Sequence, residues 1–317
     1  MYHLNADETK AALSMPALID AVERMFCRPC VMPLRHHHEM EVPGEPAGTM
    51  LLMPAWVPGD YIGVKILNLI PDNHKRSLPT IHGQYLLSSG RTGDMLALIE
   101  GGELTARRTA ATSALAARFL ARADTEEMLM VGTGRLSLNL IEAHAVTRPL
   151  SRFRIWGRDT QKAEAIAREA RDLGFPAEAV TELAEAASSA DIISCATLST
   201  EPLIRGEWLK PGAHLDLVGA FKPSMRESDD DAVRRASVFV DTRPGAMAEG
   251  GDIAIPLSTG VLLPQDIQAD LLDLAAGRHA GRQSDDEITL FKSVGAALED
   301  LAGAILAYET VRDGKQT

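Results

Sequence analysis

Cysteine is scarce in this chain. Three thiols among 317 residues are too few, and odd in number, for a disulfide framework. The opening stretch MYHLNADETKAALSMPALIDAVERMF lacks a charged region followed by an apolar one, so it does not read as an export signal. It reads as a capped start and an amphipathic helix over about 11–26, and the expected compartment is the reducing cytoplasm. Long apolar runs are missing too. None approaches the ~18–20 residues that span a bilayer, so no membrane segment is expected. Positive charge is in deficit: 32 Lys and Arg against 44 Asp and Glu give a formal net charge of −12. That bulk field disfavours nucleic acid and anionic membranes as partners and leaves room only for a local basic pocket. What remains is an ordinary globular composition, 45% hydrophobic and 24% charged, long enough for about two domains.

The few thiols invite a metal or redox reading, because Cys27 and Cys30 form a C-x-x-C and His36 to His38 follow. Neither reading holds. Three consecutive histidines on a strand alternate between faces, so at most two could join the cysteines. A redox dithiol belongs at a helix N-terminus beside a βαβ unit, and this pair follows a helix. The acidic runs 229–231 and 284–287 read as helix caps and solvated turns. Cys195, in the apolar run ADIISCAT, reads as an inert buried thiol. No metal site is expected.

The pattern changes near residue 124. Before it, TMLLMPAW, YIGVKILNLI and TIHGQYLLSS read as strands separated by Pro, Gly, Asp and Asn turns, and 103–123 as a long Ala-rich helix. After it, apolar strands alternate with helices: EMLMVG, RFRIWG, ADIISCAT, AHLDLVGA and SVFVDT around LSLNLIEAHAVTR and TQKAEAIAREARDLG. That alternation implies parallel βαβ units. The last helix, KSVGAALEDLAGAILAYETVR, is expected to leave the βαβ domain and pack on the first. The expected fold is α/β, with a Rossmann dinucleotide-binding domain over 124–293 and a discontinuous α+β domain made of 1–123 and 294–317.

The nucleotide signal lies in MLMVGTGRLSLNLIEAH. Gly132, Thr133, Gly134, Arg135, Leu136 and Ser137 follow a strand and open a helix, the context a dinucleotide fingerprint requires. Gly132 permits the tight turn, and Gly134 lets the backbone approach a pyrophosphate set on the helix N-terminus. Ser137 replaces the third glycine, at some expected cost in helix–strand closeness. The second strand ends at Gly157-Arg158-Asp159-Thr160. Arg158 can fork onto a 2′-phosphate and Thr160 can add a hydroxyl. Asp159 would instead suit a free ribose, and the alternative is a plain solvated turn. The reading favours NADP(H), with NAD(H) also accepted.

The segments 63–87, 92–122, VGTGRL and TLFKSVGAALEDLAGA together resemble the ornithine cyclodeaminase/mu-crystallin family, in order and over nearly the whole chain. The resemblance implies a homodimer formed through the domain holding both termini, a nicotinamide cofactor, and a small amino-acid or cyclic-imine substrate in a cleft. It implies that Arg35, Lys65 and Arg108 hold the substrate carboxylate. A carboxylate taken out of water needs paired charge, and a guanidinium supplies a two-pronged fork. Lys65 could instead reach past its strand to water, and Arg108 could pair with Glu100 or Glu103. Arg107 faces about 100° away on the helix and cannot share the role. The resemblance further places Thr80, Thr197 and Val218 at the cofactor and Ser293 near the substrate. His82, two residues beyond Thr80, is a candidate to line the cleft, with a core or surface histidine as the alternative; the proton donor is His82 or water.

One departure sharpens the expectation. Where cyclodeaminases carry Gly-Gly-Asp or Gly-Ala-Asp, this chain has Gly219-Ala220-Phe221. Phenylalanine can neither accept a proton nor bind an ammonium, which argues against expelling ammonia from ornithine. The stretch HLDLVGAFKPSMRESDDDA resembles the branch that reduces Δ1-pyrroline-2-carboxylate and Δ1-piperideine-2-carboxylate. Expected is NAD(P)H-dependent hydride transfer to C2 of a cyclic ketimine, giving L-proline or L-pipecolate. Two alternatives stand beside it: an ornithine cyclodeaminase or alanine-dehydrogenase-like enzyme, and an NADPH-dependent small-ligand-binding protein like mu-crystallin.

Overall fold

The amino terminus opens with a strand, Tyr2–Leu4 (β1), before two helices, Ala6–Ala12 (α1) and Met15–Phe26 (α2). In this computed structural model, which describes residues 1–314, the single helix expected near 11–26 is therefore one of a pair. The capping box of Asn5 and Glu8 starts α1. Pro16, in the first turn of α2, starts the second helix where a missing N–H is harmless.

The chain divides into two compact units, residues 1–108 with the carboxy-terminal helix Ala297–Gly314, and residues 109–296. The first holds β1, His36–Met40 (β2), Gly48–Trp56 (β3), Tyr61–Leu69 (β4), Ile81–Ser89 (β5), Met95–Glu100 (β6) and the start of α3 (Gly101–Leu120). Its sheet runs β1-β6-β5-β4-β3-β2, antiparallel except for the β1–β6 pair. Pro54 lies in β3 beyond Leu52, where β2 has ended, so its missing donor breaks no ladder. Register puts Met53, Lys65, Tyr85 and Ile99 on one face. The carboxy-terminal helix packs on β3, β4 and β5, and α2 packs on that helix. On α2, Leu18, Ile19, Val22, Met25 and Phe26 are buried at helical spacing, each contributing about 1.5–3 kcal/mol.

The second unit holds β7 (Glu127–Val131), α4 (Ser137–Thr147), β8 (Arg152–Trp156), α5 (Thr160–Asp172), β9 (Ala177–Val180), α6 (Leu183–Ser189) and β10 (Ile192–Cys195). Then come β11 (His214–Leu217), α7 (Asp230–Arg235), β12 (Ser237–Val240), α8 (Arg243–Glu249), α9 (Gly251–Thr259), β13 (Ile267–Asp270), α10 (Leu271–Ala275) and β14 (Thr289–Lys292). All eight strands are parallel, in the order β13-β12-β14-β11-β10-β7-β8-β9. This is the expected doubly wound sheet. Strand order reverses between β7 and β10, and in such sheets the ligand crevice opens at the carboxyl ends of the strands beside that reversal.

Two expectations shift. Lys292 ends strand β14 rather than opening the last helix, which starts at Ala297 after Gly295, whose φ is +83°. Residues 109–120, the rest of α3, group with the second unit. There Ser113 donates to Asp216, and Arg148 donates to the carbonyls of Ala117, Arg118 and Ala121. Asp229 caps α7 by accepting from the Ala232 amide, as expected for that acidic run. Among the described residues no helix is long and apolar enough to cross a membrane.

Candidate active site

In the first unit the sequence places Lys65 on an apolar strand, and the structure buries it, 1% exposed. It does not reach past the strand to water. Its Nζ lies 2.6 Å from Asp300 Oδ2, in the first turn of the carboxy-terminal helix. Arg108 of α3 meets the same acid, Nε to Asp300 Oδ1 at 2.8 Å, and its Nη1 donates to Glu299 Oε2 at 2.5 Å. Glu100 accepts from the Gly102 and Glu103 amides at the start of α3. Arg107, the neighbour set aside, donates to the Leu13 carbonyl at 2.7 Å. The helical period thus separates a structural arginine from one aimed at the acids.

Burial pushes the Lys65 ammonium down; Asp300 opposes this, while Arg108 and Arg35 add to it, and the result is about 8. Lys65 is therefore still charged at neutral pH. Asp300 is held below the ordinary carboxylate range by Arg108 and Lys65, which overcome the cost of burial. Arg35, half-buried ahead of β2, lies near enough for its charge to act on Lys65. Tyr85 is fully buried across from Lys65, and its hydroxyl lies where a Cβ on Gly63 would fall, 2.0 Å away. Only glycine at 63 lets that ring lie across β4.

His82 is not brought to this cluster. It lies three residues before Tyr85 on β5, so the two-residue period of a strand turns it to the opposite face, where it is exposed. Thr80 precedes the strand; it is exposed, and its carbonyl accepts from the Ile70 amide at 2.9 Å.

In the second unit the fingerprint takes the expected form. Gly132 has φ +128°, and a Cβ there would stand 2.6 Å from the Ala196 carbonyl oxygen after β10. Gly134 is exposed with open space beside it. Leu136 leads into α4 without a side-chain cap hydrogen bond, and a helix N-terminus is where a pyrophosphate would sit. Thr133, Arg135 and Leu136 complete the loop, with Arg135 exposed. Ser137 does more than substitute for glycine: its Oγ donates to the Gly132 carbonyl at 3.0 Å, tying helix to turn. Asp159, read as a rival ribose ligand, caps α5 by accepting from the Gln161 and Lys162 amides. Arg158 and Thr160 beside it are exposed. These residues fit a dinucleotide.

Val218 and Thr197 follow neighbouring strands, and the Val218 amide donates to the Cys195 carbonyl at 2.8 Å. Phe221 stands on the loop after β11, 39% exposed. Ser293 is buried, and its hydroxyl donates to Asp241 Oδ2 at 3.3 Å. Sequence reasoning missed the acids that organise these groups: Glu299 and Asp300 in the first unit, Glu227, Asp241 and Asp252 in the second. The signal available was the demand itself, since buried cations require buried counter-charges.

A model of the ornithine cyclodeaminase/mu-crystallin family matches residues 2–315. The Delta(1)-pyrroline-2-carboxylate reductase of Paracoccus denitrificans (strain Pd 1222) is 36% identical over 290 residues, covering 89% of this chain and 92% of that one. Among solved structures, Thermococcus litoralis Delta(1)-pyrroline-2-carboxylate reductase, in complex with NADH and L-proline, matches with a TM-score of 0.92 and 34% identity over 99% of this chain and 98% of that one. An archaeal alanine dehydrogenase dimer with bound NAD matches with a TM-score of 0.90 and 29% identity over 99% and 97% of the two chains.

Proposed function

The chain belongs to the ornithine cyclodeaminase/mu-crystallin family, and we propose that its reaction is the NAD(P)H-dependent reduction of a cyclic ketimine carboxylate. It reduces Δ1-pyrroline-2-carboxylate to L-proline, the product bound in the Thermococcus litoralis relative, and by the same chemistry Δ1-piperideine-2-carboxylate to L-pipecolate. The observation that carries the reading is the buried Lys65–Arg108 pair, aimed by Asp300 and Glu299.

Lys65, Arg108 and Arg35 anchor the carboxylate and so fix C2. When bound, a reduced nicotinamide supplies the hydride. The loop from Gly132 to Leu136, with Thr197 and Val218 of the same unit, holds that cofactor. Arg158 and Thr160 favour a 2′-phosphate, a preference supported by the use of Asp159 as a helix cap. Phe221 presents an apolar wall to the ring, and Ser293 stands near it. His82 lies on the opposite sheet face from Lys65, so proton donation is assigned to water or Lys65.

The test follows reduced-cofactor oxidation with both imines and both cofactors, and includes ornithine with NAD. Turnover of an imine is expected, and none of ornithine. Arg158→Ala should raise the KM for NADPH about tenfold or more, the scale of a lost charge-assisted contact, while changing that for NADH less than threefold. NADPH binding without imine turnover would sink the enzymatic reading in favour of a ligand-binding protein.

A homodimer is part of the proposal. The sheet face opposite Lys65 carries Leu52, Trp56, Ile62, Val64, Ile66 and Leu86, all partly or largely exposed. Such a contiguous apolar sheet face calls for a partner. Light scattering should give twice the chain mass, and Val64→Glu should give one chain mass; a wild-type monomer would refute this.

A further inference from the structure

Glu227 is fully buried and sits among hydrogen-bond donors. Its Oε1 accepts from the Thr197 amide at 2.7 Å and the Thr197 hydroxyl at 2.8 Å. Its Oε2 accepts from the amides of Gly219 at 2.7 Å and Ala220 at 3.3 Å. Thr197 follows β10 and Gly219 follows β11, and these strands are hydrogen-bonded neighbours, with Cys195 opposite Leu217. One side chain therefore grips the backbone of two adjacent loops at the carboxyl ends of the sheet.

Its own placement is fixed from behind. Asp252 Oδ1 accepts from the Glu227 amide at 2.8 Å and the Ser228 amide at 3.0 Å, and Asp252 Oδ2 lies 3.2 Å from Lys292 Nζ. The two loops approach so closely that a Cβ on Gly219 would fall 2.0 Å from the Thr197 carbonyl oxygen and 2.5 Å from Glu227 Oε1. Burying an acid is costly, and an apolar residue would fill the same space without that cost. What an apolar residue cannot do is accept four hydrogen bonds from two loops.

We propose that Glu227 is a positioning residue for the reduction, one carboxylate that sets Thr197 on the cofactor side and the Gly219–Phe221 loop on the substrate side relative to each other. The proposal rests on the reductase reading for those two roles. Its geometry does not, since both loops and the acid lie in the second unit whatever the reaction. Four donors favour the ionised form. Burial works against them and raises the carboxyl, with Lys292 pulling it down, Asp252 pushing it up and the buried Cys195 thiol alongside. The residue is thus poised, and its hold depends on charge rather than on shape alone.

Glu227→Gln makes the test, because each oxygen takes two donors. Whichever way the amide turns, its NH2 faces a pair of N–H or O–H groups. In hydrogen exchange read by mass spectrometry, peptides spanning 197–199 and 218–221 should exchange at least tenfold faster, while 128–131 in β7 stays at the wild-type rate. In turnover, kcat should fall about 100-fold, the scale of an ångström's misplacement of reacting groups. KM for the imine should stay within threefold, since the carboxylate anchors are untouched. With cofactor deuterated at C4 of the nicotinamide, the isotope effect on kcat should rise above wild type, as hydride transfer becomes slower than product release. Partial unfolding would lower kcat with an unchanged isotope effect and fewer NADPH sites per chain, and that result overturns the proposal. So does wild-type exchange in both loops. Glu227→Asp serves if the glutamine variant does not fold: one methylene shorter, it reaches a single loop, and only one of the two peptides should exchange faster. A wild-type protein that turns over no imine would count against the reductase reading alone, and the exchange result would still decide the clamp.

Discussion

Replacing Arg108 by methionine should lower kcat/KM for the imine by about 100-fold or more and destabilise the fold by about 3–5 kcal/mol, the range for breaking a buried ion pair from one side. The stability loss follows from what stays behind. Glu299 and Asp300 are fully buried, and Arg108 supplies bonds of 2.5 and 2.8 Å to them. Without the guanidinium, Lys65 alone faces Asp300. The activity loss follows from the fork: a methionine can neither carry charge nor make charge-assisted bonds to a carboxylate. Stability and catalysis can be separated by removing the partner too. Arg108→Met with Glu299→Leu replaces an ion pair by apolar volume, which is often neutral or stabilising, so urea unfolding should return toward wild type while turnover does not. Arg108→Lys should keep most of the stability and little of the activity, since an ammonium is a point charge without the two-pronged geometry. A methionine variant with wild-type KM for the imine would remove Arg108 from the substrate site.

The elements that sequence reasoning placed well are those whose signal is local. Helix α5 buries Ala163, Ala167 and Ala170 at helical spacing and ends before Gly174, whose φ of +92° suits glycine. The strands β7, β10 and β12 are short, mostly apolar runs beside Gly132, Asp191 and Asp241. What stayed hidden is held by pairing. β1 is three residues long and exists because it lies parallel to β6, with His3 opposite Leu98. β9 and β13 span four residues each, AEAV and IQAD, too short for a periodicity to register. Lys292 and Ser293 were drawn into the last helix because an Ala/Leu stripe follows them. The structure instead spends Lys292 on the end of β14 and on Asp252.

The same division runs through the site. Glycine spacing after a strand is a local signal, and the loop at Gly132 was legible from it. The cations Arg35, Lys65 and Arg108 were legible only as a resemblance. Their counter-charges were not legible at all: Glu299 and Asp300 lie about 190 positions beyond Arg108, at the start of a helix, where acids usually face water and the helix dipole. His82 shows the reverse error. Adjacency to Thr80 suggested a shared face, but Thr80 lies outside β5, and alternation along the strand sends His82 away from Tyr85 and Lys65.

His214 should contribute a stability term that is lost in mild acid. This histidine on β11 is fully buried, with Nδ1 2.9 Å from Thr289 Oγ1. The Thr289 hydroxyl hydrogen is directed to the Leu120 carbonyl at 3.0 Å, so Nδ1 must be the donor and Nε2 the bare nitrogen. Nε2 has no hydrogen-bond partner among the described residues, and a second proton there would meet no acceptor. Burial accordingly pushes the imidazole down to about 3, with Asp216 pulling the other way. The sign is fixed by linkage. The unfolded chain takes a proton near pH 6.5 and the folded one does not, so the contribution is whole above 6.5 and drains away as pH falls toward 3. Between pH 6.5 and 4 the loss from this residue is about 3 kcal/mol. Asp216 and Asp300, both held below the ordinary range, lose their contributions only at lower pH. Glu227 and Asp241, both pushed up by burial, act in the opposite sense, binding protons in the folded state first. His214→Leu keeps all four acids, so the difference between the two proteins isolates the histidine. In urea unfolding at pH 7, 6, 5 and 4, at fixed protein concentration, the leucine variant should start less stable and fall less steeply. An equal slope in both proteins would mean that the acid sensitivity resides elsewhere.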